Sequence, residues 1–361
     1  MSRTLRFDRG LLVTVLALCA VGIIMIYSSS AVLALQKKGA PGYFFIRQSI
    51  WMGVGLVVLL AAFKIPLDFW KRRPVIVGLI TAQAALMVWA LLSPAINGSH
   101  RWIRLGSFTF QPSESAKLVL VLFAAYMLER RARGERTWVH VFLVLGCYMG
   151  FVGAAVLKQP DLGTAVVLGA ILLCMLFMDG MPVRWMAAAG TLCAVLLALL
   201  IVSSPYRYQR FATFLHPEED PQGSGFQARQ SLIAVGSGGV LGRWGEGSQR
   251  LMFLPEPHTD FLYSMVGEEL GLVGTVSVLI GYLVFGILGM RTATGVQDHF
   301  AALVAAGIVS WILIQALIHM GVALTLLPTK GLPLPFMSYG GSSLLVSLAG
   351  VGILLNVSQR R

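Results

Sequence analysis

Long apolar runs, separated by short polar segments, extend along almost the whole chain. A helix that crosses the hydrocarbon core of a bilayer needs about 20 predominantly apolar residues. Ten runs approach this length, at residues 11–33, 43–63, 75–92, 112–128, 139–157, 162–178, 185–202, 261–290, 300–327 and 338–357. Because the runs are continuous and do not alternate between apolar and polar positions, they exclude a transmembrane β-barrel. We therefore predict an all-α polytopic membrane protein with about ten transmembrane helices.

Basic residues predict the orientation of these spans. Clusters precede span 1 and follow spans 2 and 4; their members are Arg3, Arg6, Arg9, Lys64, Lys71, Arg72, Arg73, Arg130, Arg131, Arg133 and Arg136. Since cytoplasmic loops carry the excess of lysine and arginine, the odd spans run outward and both termini are cytoplasmic. The longest polar segment, about residues 203–260 between spans 7 and 8, is then a large outer loop. Segments 93–111 and 327–337 lie on the same side.

Composition narrows the functional classes. With 57% hydrophobic and only 12% charged residues, the chain has too little charge to cover the surface of a soluble domain. The first apolar run follows a short basic stretch without a small-residue cleavage site, so we expect a retained span. No phosphate-binding loop or zinc-protease motif is present, and we expect neither a nucleotide cofactor nor a nucleic-acid partner. The four cysteines, read as small buried hydrophobes, are Cys19, Cys147, Cys174 and Cys193.

The large outer loop ends in the sequence FLPEPHTDF, residues 253–261, immediately before an apolar run. Asp260 has two interpretations, which do not exclude each other. In the first, it is the N-cap of the following helix. In the second, it is a reactive carboxylate at the lipid–water boundary, where it could act on a substrate with a lipid tail and a polar head. For His258 we favour a role in the turn over one in the chemistry.

Two further outer segments combine charges with proline. In QPSESAK, residues 111–117, Glu114 and Lys117 are three positions apart on a predicted helix and can face each other. We interpret them as a structural pair that lines a cavity, with substrate contact as the alternative. In KQPDLGT, residues 158–164, proline predicts a tight turn in which Lys158 and Asp161 neutralise each other.

The segment 327–343 contains three prolines and three glycines, and its only charge is Lys330. Such non-helical backbone is tolerated at membrane depth only where it is buried in protein or lines a wet cavity. We favour Lys330 as a partner for phosphate over a lysine that reaches the membrane surface. An anionic ligand would also explain Arg101 in a tight outer segment. For the five arginines of the large loop, that ligand and a loop that translocates regardless of charge remain equally good explanations.

Together these strings resemble the SEDS family (shape, elongation, division and sporulation) of bacterial cell-wall proteins, which includes RodA and FtsW. The resemblance covers essentially the whole chain, 1–361, as a single membrane domain. Residues 267–271 and 328–331 look closer to the division branch and residues 332–336 to the elongation branch; we favour division. The segments that carry the resemblance are 96–98 with 101–106, 111–114, 159–164, 254–261 and 328–343.

The resemblance implies a peptidoglycan glycosyltransferase of the bacterial plasma membrane. Its substrates would be lipid II and the nascent glycan, and its partner a class B penicillin-binding protein with transpeptidase activity. The essential aspartate of the family maps onto Asp260, which we expect to act as general base on the outer face. Lys330, Arg101 and Lys117 are the candidates for stabilising the diphosphate leaving group, with a divalent cation such as Mg²⁺ or Mn²⁺ as a candidate helper. The remaining candidate substrate-binding residues are Glu114, His258, Lys158 and Asp161.

Two other functions stay open on the sequence. A flippase for the same lipid would suit ten spans with broken segments. Against it, coupled transporters usually carry acids near the bilayer midplane, and we place none of the 16 acids there. His319, within span 9, is better interpreted as an interior histidine with a hydrogen-bond partner. A non-catalytic scaffold for the penicillin-binding protein would not explain why the outer segments concentrate charge.

Overall fold

The computed structural model describes residues 7–95, 98–106, 108–216, 224–244 and 256–361, apart from the side chains of residues 105 and 224. The predicted outer loop is therefore described in part; residues 217–223 and 245–255, including Arg250, lie outside the described residues, as do Arg3, Arg6 and residues 96–97. The helices are α1 (Arg9–Lys38), α2 (Tyr43–Lys64), α3 (Leu67–Trp70), α4 (Arg73–Leu92), α5 (Pro112–Ala132), α6 (Trp138–Lys158), α7 (Leu162–Met178), α8 (Val183–Val202), α9 (Pro205–Leu215), α10 (Ser224–Ser237), α11 (Leu262–Thr294), α12 (His299–Ala323) and α13 (Gly341–Ser358). Strands β1 (Ile103–Leu105) and β2 (Phe108–Phe110) form one antiparallel hairpin.

Each of the ten predicted spans corresponds to a helix, which confirms the all-α membrane fold. Among the described residues, eight helices are long and apolar enough to cross a membrane, and α7 is a shorter apolar helix of 17 residues. The predicted ends were wrong for span 9, which stops at Ala323 and not at 327, because Thr325 adopts a left-handed conformation (φ 55°). Span 10 begins at Gly341, since residues 338–340 belong to the preceding loop.

The buried core lies around α5, α12 and α13, whose residues are mostly inaccessible. Helix α8 is the opposite case, with no buried residue at all, and it packs against α7 and α9 at the edge of the bundle. Beyond these neighbours, Trp185 of α8 lies 5.8 Å, between ring centroids, from Phe142 of α6, and the remaining apolar sides of α8 are free to face lipid.

Residues 324–340, which we call the 324–340 loop, run through the bundle without regular structure, as the sequence predicted. Side chains of the surrounding helices satisfy its carbonyl groups: Gln315 donates to Pro333 O at 2.8 Å and Gln48 to Ser338 O at 3.2 Å. His319 Nδ1 lies 2.7 Å from Leu332 O, so the prediction of a hydrogen-bonded interior histidine is confirmed. Buried backbone carbonyls need such partners, and these fix the loop that carries Lys330.

The outer loop contains two helices that the sequence did not predict, α9 and α10. Helix α10 packs along the first turns of α11 and ends where α11 is broken at Gly271 (φ 65°, ψ −158°). The break leaves backbone N–H and C=O groups of α11 without partners in their own helix. Residues 239–243 supply the missing partners: Leu272 N donates to Gly239 O at 2.9 Å, and Arg243 N donates to Glu268 O at 3.1 Å. The outer loop is thus joined to the bundle by backbone hydrogen bonds.

Candidate active site

Asp260 lies in a tight turn that is fastened to the 324–340 loop. Its backbone N–H donates to Glu256 O at 3.3 Å, and the turn is held by Ser338 Oγ, which donates to Thr259 O at 2.7 Å, and by Tyr339 N, which donates to His258 O at 2.9 Å. The N-cap interpretation of Asp260 was wrong, because Phe261 occupies that position and α11 has no side-chain cap. The carboxylate is therefore free for another role.

The carboxylate of Asp260 rests against Gly331. A Cβ atom on Gly331 would stand 2.8 Å from Asp260 Oδ2, so only glycine leaves this space open. Burial raises the pKa of Asp260 to about 6, and the neighbouring Glu256 adds to the rise. A hydrogen bond from Thr259 and the charges of Arg210 and Arg101 act in the opposite direction. A carboxylate with a pKa near neutrality is a suitable proton acceptor at neutral pH.

A cavity of about 790 Å³ opens above this carboxylate. Its size falls within the range of about 300–1,000 Å³ typical of small-molecule sites. Four of the eight predicted site residues line it, namely Asp260, Lys330, Arg101 and Asp161. The structure thus brings together segments that are far apart in sequence.

Arg101 and Asp161 line the cavity with their hydrogen-bonding groups already engaged. Arg101 donates from Nε to Gln159 O at 2.5 Å and from Nη2 to Pro160 O at 2.7 Å. Asp161 caps α7, accepting from Thr164 N at 3.1 Å and Thr164 Oγ1 at 2.9 Å. The predicted neutralisation of Asp161 by Lys158 was wrong: Lys158 is exposed and forms no ion pair in the described part of the chain. Its side chain does not line the cavity.

Glu114 and Lys117 form the predicted pair, with Lys117 Nζ 2.8 Å from Glu114 Oε1 and side chains 0% and 2% exposed. Lys117 also donates to Gln315 Oε1 at 2.7 Å, and Trp311 Nε1 reaches the same oxygen at 3.1 Å. The expectation that this pair lines a cavity was wrong: neither side chain lines the cavity above Asp260, and Gln315 and Trp311 of α12 lie against Lys117. Lys117 is therefore not in reach of a ligand in the cavity.

His258 is fully buried and packs between aromatic rings, 4.3 Å from the centroid of Phe44 and 5.3 Å from that of Tyr339. Burial lowers its pKa to about 4, and the charge of Lys37 adds to the shift, so the imidazole is neutral at neutral pH. It does not line the cavity. This fits the interpretation of His258 as a residue of the turn.

Lys330 lines the cavity with an ammonium group that forms no ion pair or hydrogen bond among the described residues. Burial lowers its pKa to about 8; the charge of Asp161 opposes the shift, whereas Arg210 and Arg207 reinforce it. A lysine that is half-buried, unpaired and close to two other cations is positioned for an anionic ligand.

Three charged residues of the cavity were not among the predicted site residues: Glu256, Arg207 and Arg210. Glu256 stands in the FLPEPHTDF segment, in which we favour Asp260 as the reactive carboxylate. The two arginines belong to the five of the large outer loop, which the sequence does not distinguish from one another. The available signal was the spacing of Arg207 and Arg210 after Pro205, since proline favours a helix start and residues three apart share a helix face.

No group of three or more His, Cys, Asp or Glu side chains that could hold a metal ion occurs in ranges 7–95, 98–106, 108–216, 224–244 and 256–361. Asp161 uses both carboxylate oxygens within its own helix start. The described residues therefore do not form a protein cage for a divalent cation.

Relatives and solved structures resemble the chain over nearly its full length. The sequence model of the FtsW/RodA/SpoVE family of cell cycle proteins matches residues 9–361. A probable peptidoglycan glycosyltransferase FtsW of Geobacter metallireducens is 40% identical over 358 residues, 98% of this chain and 95% of the relative. The corresponding protein of Thioalkalivibrio sulfidiphilus is 42% identical over 360 residues, 98% of this chain and 89% of the relative.

The solved structures share the fold as well as the sequence. One similar chain was solved in work on the structural coordination of polymerization and crosslinking by a peptidoglycan synthase complex. It superposes on this chain with a TM-score of 0.80 at 32% identity, covering 98% of both chains. The rod shape determining protein RodA of Thermus thermophilus gives a TM-score of 0.74 at 28% identity, covering 100% of this chain and 99% of RodA. By its helices, its motifs and its relatives, this chain belongs to the FtsW/RodA/SpoVE family of cell cycle proteins.

Proposed function

We propose that this protein is a peptidoglycan glycosyltransferase that polymerises lipid II into glycan strands on the outer face of the bacterial plasma membrane, in the division branch of its family. The observation that carries the proposal is the position of Asp260. Its carboxylate has a pKa raised to about 6 and lies in a cavity that also exposes the unpaired ammonium of Lys330. A base and a cation in one cavity are the two groups that transfer of a sugar from a diphosphate requires.

In this mechanism Asp260 accepts the proton of the attacking alcohol. The 4-hydroxyl oxygen of the incoming precursor's N-acetylglucosamine forms a bond to the anomeric carbon of the growing chain. The bond from that carbon to the diphosphate oxygen breaks, and its electron pair leaves with the diphosphate. An alcohol is a weak nucleophile at neutral pH, so a base that takes the proton as the bond forms is needed. Attack from the face opposite the leaving group inverts the centre through an oxocarbenium-like transition state, and a single carboxylate suffices.

The departing diphosphate gains negative charge, which a fixed cation stabilises. Of the three cations predicted for this role, Lys330 is the one that both lines the cavity and lacks a partner in the described part of the chain. Arg101 holds the α6–α7 turn through two carbonyl groups, and Lys117 is buried against Glu114. We therefore assign the leaving-group role to Lys330 and a supporting role to Arg101.

A divalent cation remains part of the proposal as a helper. Because the described residues offer no three-ligand cage, Mg²⁺ or Mn²⁺ would take most of its ligands from diphosphate oxygens and water. No step above depends on it.

We propose a class B penicillin-binding protein as the partner that crosslinks the strands. The support is the likeness to a chain solved within a peptidoglycan synthase complex that coordinates polymerization and crosslinking. The partner is included in the test for that reason.

The test is polymerisation of labelled lipid II by the purified chain in liposomes with its penicillin-binding partner. We expect long glycan from the wild type and a loss of about 10²–10⁴-fold in Asp260→Asn, the usual contribution of a general base. Asp68→Asn, the same change in an exposed acid on α3 outside the cavity, is the matched control and should retain activity.

Two results would contradict the proposal. Normal polymerisation by Asp260→Asn would place the base elsewhere. Labelled lipid that crosses the vesicle leaflets, with no polymer from any variant, would indicate a flippase.

A further inference from the structure

Helix α9 directs both of its arginines into the cavity. Arg207 and Arg210 are three residues apart, half-buried, and line the cavity together with Tyr206 and Phe211, whereas Tyr208 is 57% exposed and does not line it. Thr213, three residues further on, is buried on the same face. This common face places the two guanidinium groups where they can contact a ligand in the cavity.

These arginines have polar contacts but no acid within ion-pair distance, although Arg210 is close enough to Asp260 to lower its pKa. Arg207 Nη1 donates to Leu200 O at 3.1 Å and Arg210 Nη1 to Thr329 O at 3.4 Å, while the Arg210 guanidinium lies 4.8 Å from the centroid of the Tyr206 ring. Neither arginine forms an ion pair with an acid of the described residues. Each guanidinium has five N–H donors, so most of the donors of both remain available to a ligand.

The contact of Arg210 with Thr329 brings the α9 arginines next to Lys330. Arg207 and Arg210 are also close enough to lower the pKa of Lys330. Three half-buried cations facing one cavity repel each other, and this repulsion is relieved when an anion of high charge binds among them. Arginine pairs are especially suited to phosphate because two N–H groups can reach two oxygens at once.

The position of α9 also indicates where the rest of the ligand lies. The helix follows directly on α8, the helix without buried residues at the edge of the bundle. A ligand held by α9 can therefore keep an apolar tail in lipid beside α8 while its charged head enters the cavity. A free nucleotide or inorganic anion would gain nothing from this placement.

We propose that Arg207, Arg210 and Lys330 form the binding site for the diphosphate of a polyprenyl-linked substrate, with α9 as the wall that faces lipid. This assignment deepens the proposed function and rests on it for the identity of the reacting substrate. The Lys330 ammonium and the two guanidinium groups together neutralise the charge that the diphosphate carries on leaving. Lys117, whose ammonium group is paired with Glu114, is not part of this site, and Arg101, which donates to two carbonyl groups of the α6–α7 turn, keeps its supporting role beside it.

The site is tested by binding, without any requirement for polymerisation. The full chain in nanodiscs is titrated with undecaprenyl diphosphate, with inorganic pyrophosphate, and with phosphatidylglycerol as a general anionic lipid. We expect the double variant Arg207→Ala/Arg210→Ala to weaken undecaprenyl diphosphate binding by at least tenfold and leave phosphatidylglycerol binding within twofold. Arg229→Ala, which removes an exposed arginine of α10 outside the cavity, is the matched control and should bind as the wild type does.

A second variant separates a charge effect from misfolding. Arg207→Lys/Arg210→Lys keeps the charges but loses bidentate geometry, so it should bind more weakly than the wild type and more tightly than the alanine pair, with an unchanged thermal midpoint. Weakening of inorganic pyrophosphate binding in parallel would support a site for the diphosphate group itself. If Arg207→Ala/Arg210→Ala binds inorganic pyrophosphate as the wild type does but binds undecaprenyl diphosphate more weakly, the site requires the lipid-linked form of the diphosphate.

Unchanged undecaprenyl diphosphate binding in the alanine pair, or an equal loss of phosphatidylglycerol binding, would overturn the site. These outcomes differ from failure of the proposed function. A wild type that makes no polymer but binds the diphosphate through these arginines would overturn the polymerase alone, whereas polymerisation with arginine-independent binding would overturn this site alone.

Discussion

Two lysine–acid combinations near the same end of the bundle have opposite surroundings. Lys117 touches Glu114 at 2.8 Å beneath α12, with neither side chain accessible beyond 2%. Lys330 and Asp260 share a cavity, form no ion pair with each other, and each has a pKa shifted toward neutrality by burial. Both combinations consist of a lysine and a carboxylic acid, so the difference in their surroundings comes from what the fold places around them.

A charge that is satisfied within the protein supports the fold, and one that is left unsatisfied at a cavity is available to a substrate. Removing one partner of a buried pair leaves an uncompensated charge, which is costly. Removing a cavity charge costs little stability but changes the chemistry that the cavity can support. Stability and activity should therefore respond in opposite ways to substitutions at the two places.

The largest effect on stability should come from Lys117→Met. This change leaves Glu114 buried without its cation, and we expect a loss of about 3–5 kcal/mol in the free energy of unfolding. Denaturant or thermal unfolding in detergent measures it. The double variant Glu114→Gln/Lys117→Met removes both charges and should recover part of the loss. A Lys117→Met protein of normal stability that fails to bind lipid II would instead assign Lys117 to the substrate site.

A smaller effect, on activity only, should come from Gly331→Ala. The added Cβ would stand 2.8 Å from Asp260 Oδ2, so the carboxylate must shift out of position. We expect kcat to fall by about 10- to 100-fold with little change in KM, because misplacing a catalytic group by about 1 Å costs up to this factor. Gly53→Ala, at an exposed position of α2 with open space around it, is the control. Wild-type kcat in Gly331→Ala would contradict the contact between Gly331 and the base.

The pH dependence of the polymerisation rate should show the titration of Asp260 and of Lys330. Asp260, with a pKa of about 6, is protonated and inactive as a base below that pH, so the rate should fall about tenfold per pH unit there. Lys330, with a pKa of about 8, loses its charge above that pH, so the rate should fall again. Lys330→Arg should remove only the alkaline limb, since arginine stays charged. A flat profile from pH 5 to 9 would contradict both assignments.

The smallest effect should come from Lys158→Ala. Its side chain is exposed, unpaired with Asp161 and outside the cavity, so activity and thermal midpoint should each stay close to wild type, within about twofold for the rate. A loss of more than tenfold would show that the α6–α7 turn contacts substrate through this lysine.

The spans could be predicted from sequence because a bilayer imposes a minimum apolar length on each helix, independent of its neighbours. The irregular 324–340 loop was predictable for a similar local reason, since its prolines cannot continue a helix. Helices α9 and α10 were not predicted because they are short and mixed in polarity, and α10 is defined by its fit against the broken start of α11. No local rule signals such a fit.

The site was predicted in part because some of its information is local and some is not. Asp260 and Lys330 stand in distinctive sequence segments that make them candidates, and both line the cavity. Whether a neighbouring lysine such as Lys117 faces the cavity or α12 depends on where Gln315 arrives from much later in the chain. For the same reason the sequence could not separate Arg207 and Arg210 from the exposed arginines of the outer loop.

The shortness of α7 makes bilayer thickness a variable for this protein. With 17 residues, the helix is about 26 Å long, less than the hydrocarbon thickness of about 30 Å. One end is anchored by Asp179, which pairs with Arg131 and His299, and the other end carries Asp161 on the cavity wall. A helix shorter than the hydrocarbon core is accommodated by local thinning of the bilayer around it. Because α7 carries the cavity wall at one end, lipid chain length should tune how easily a charged head group enters the cavity.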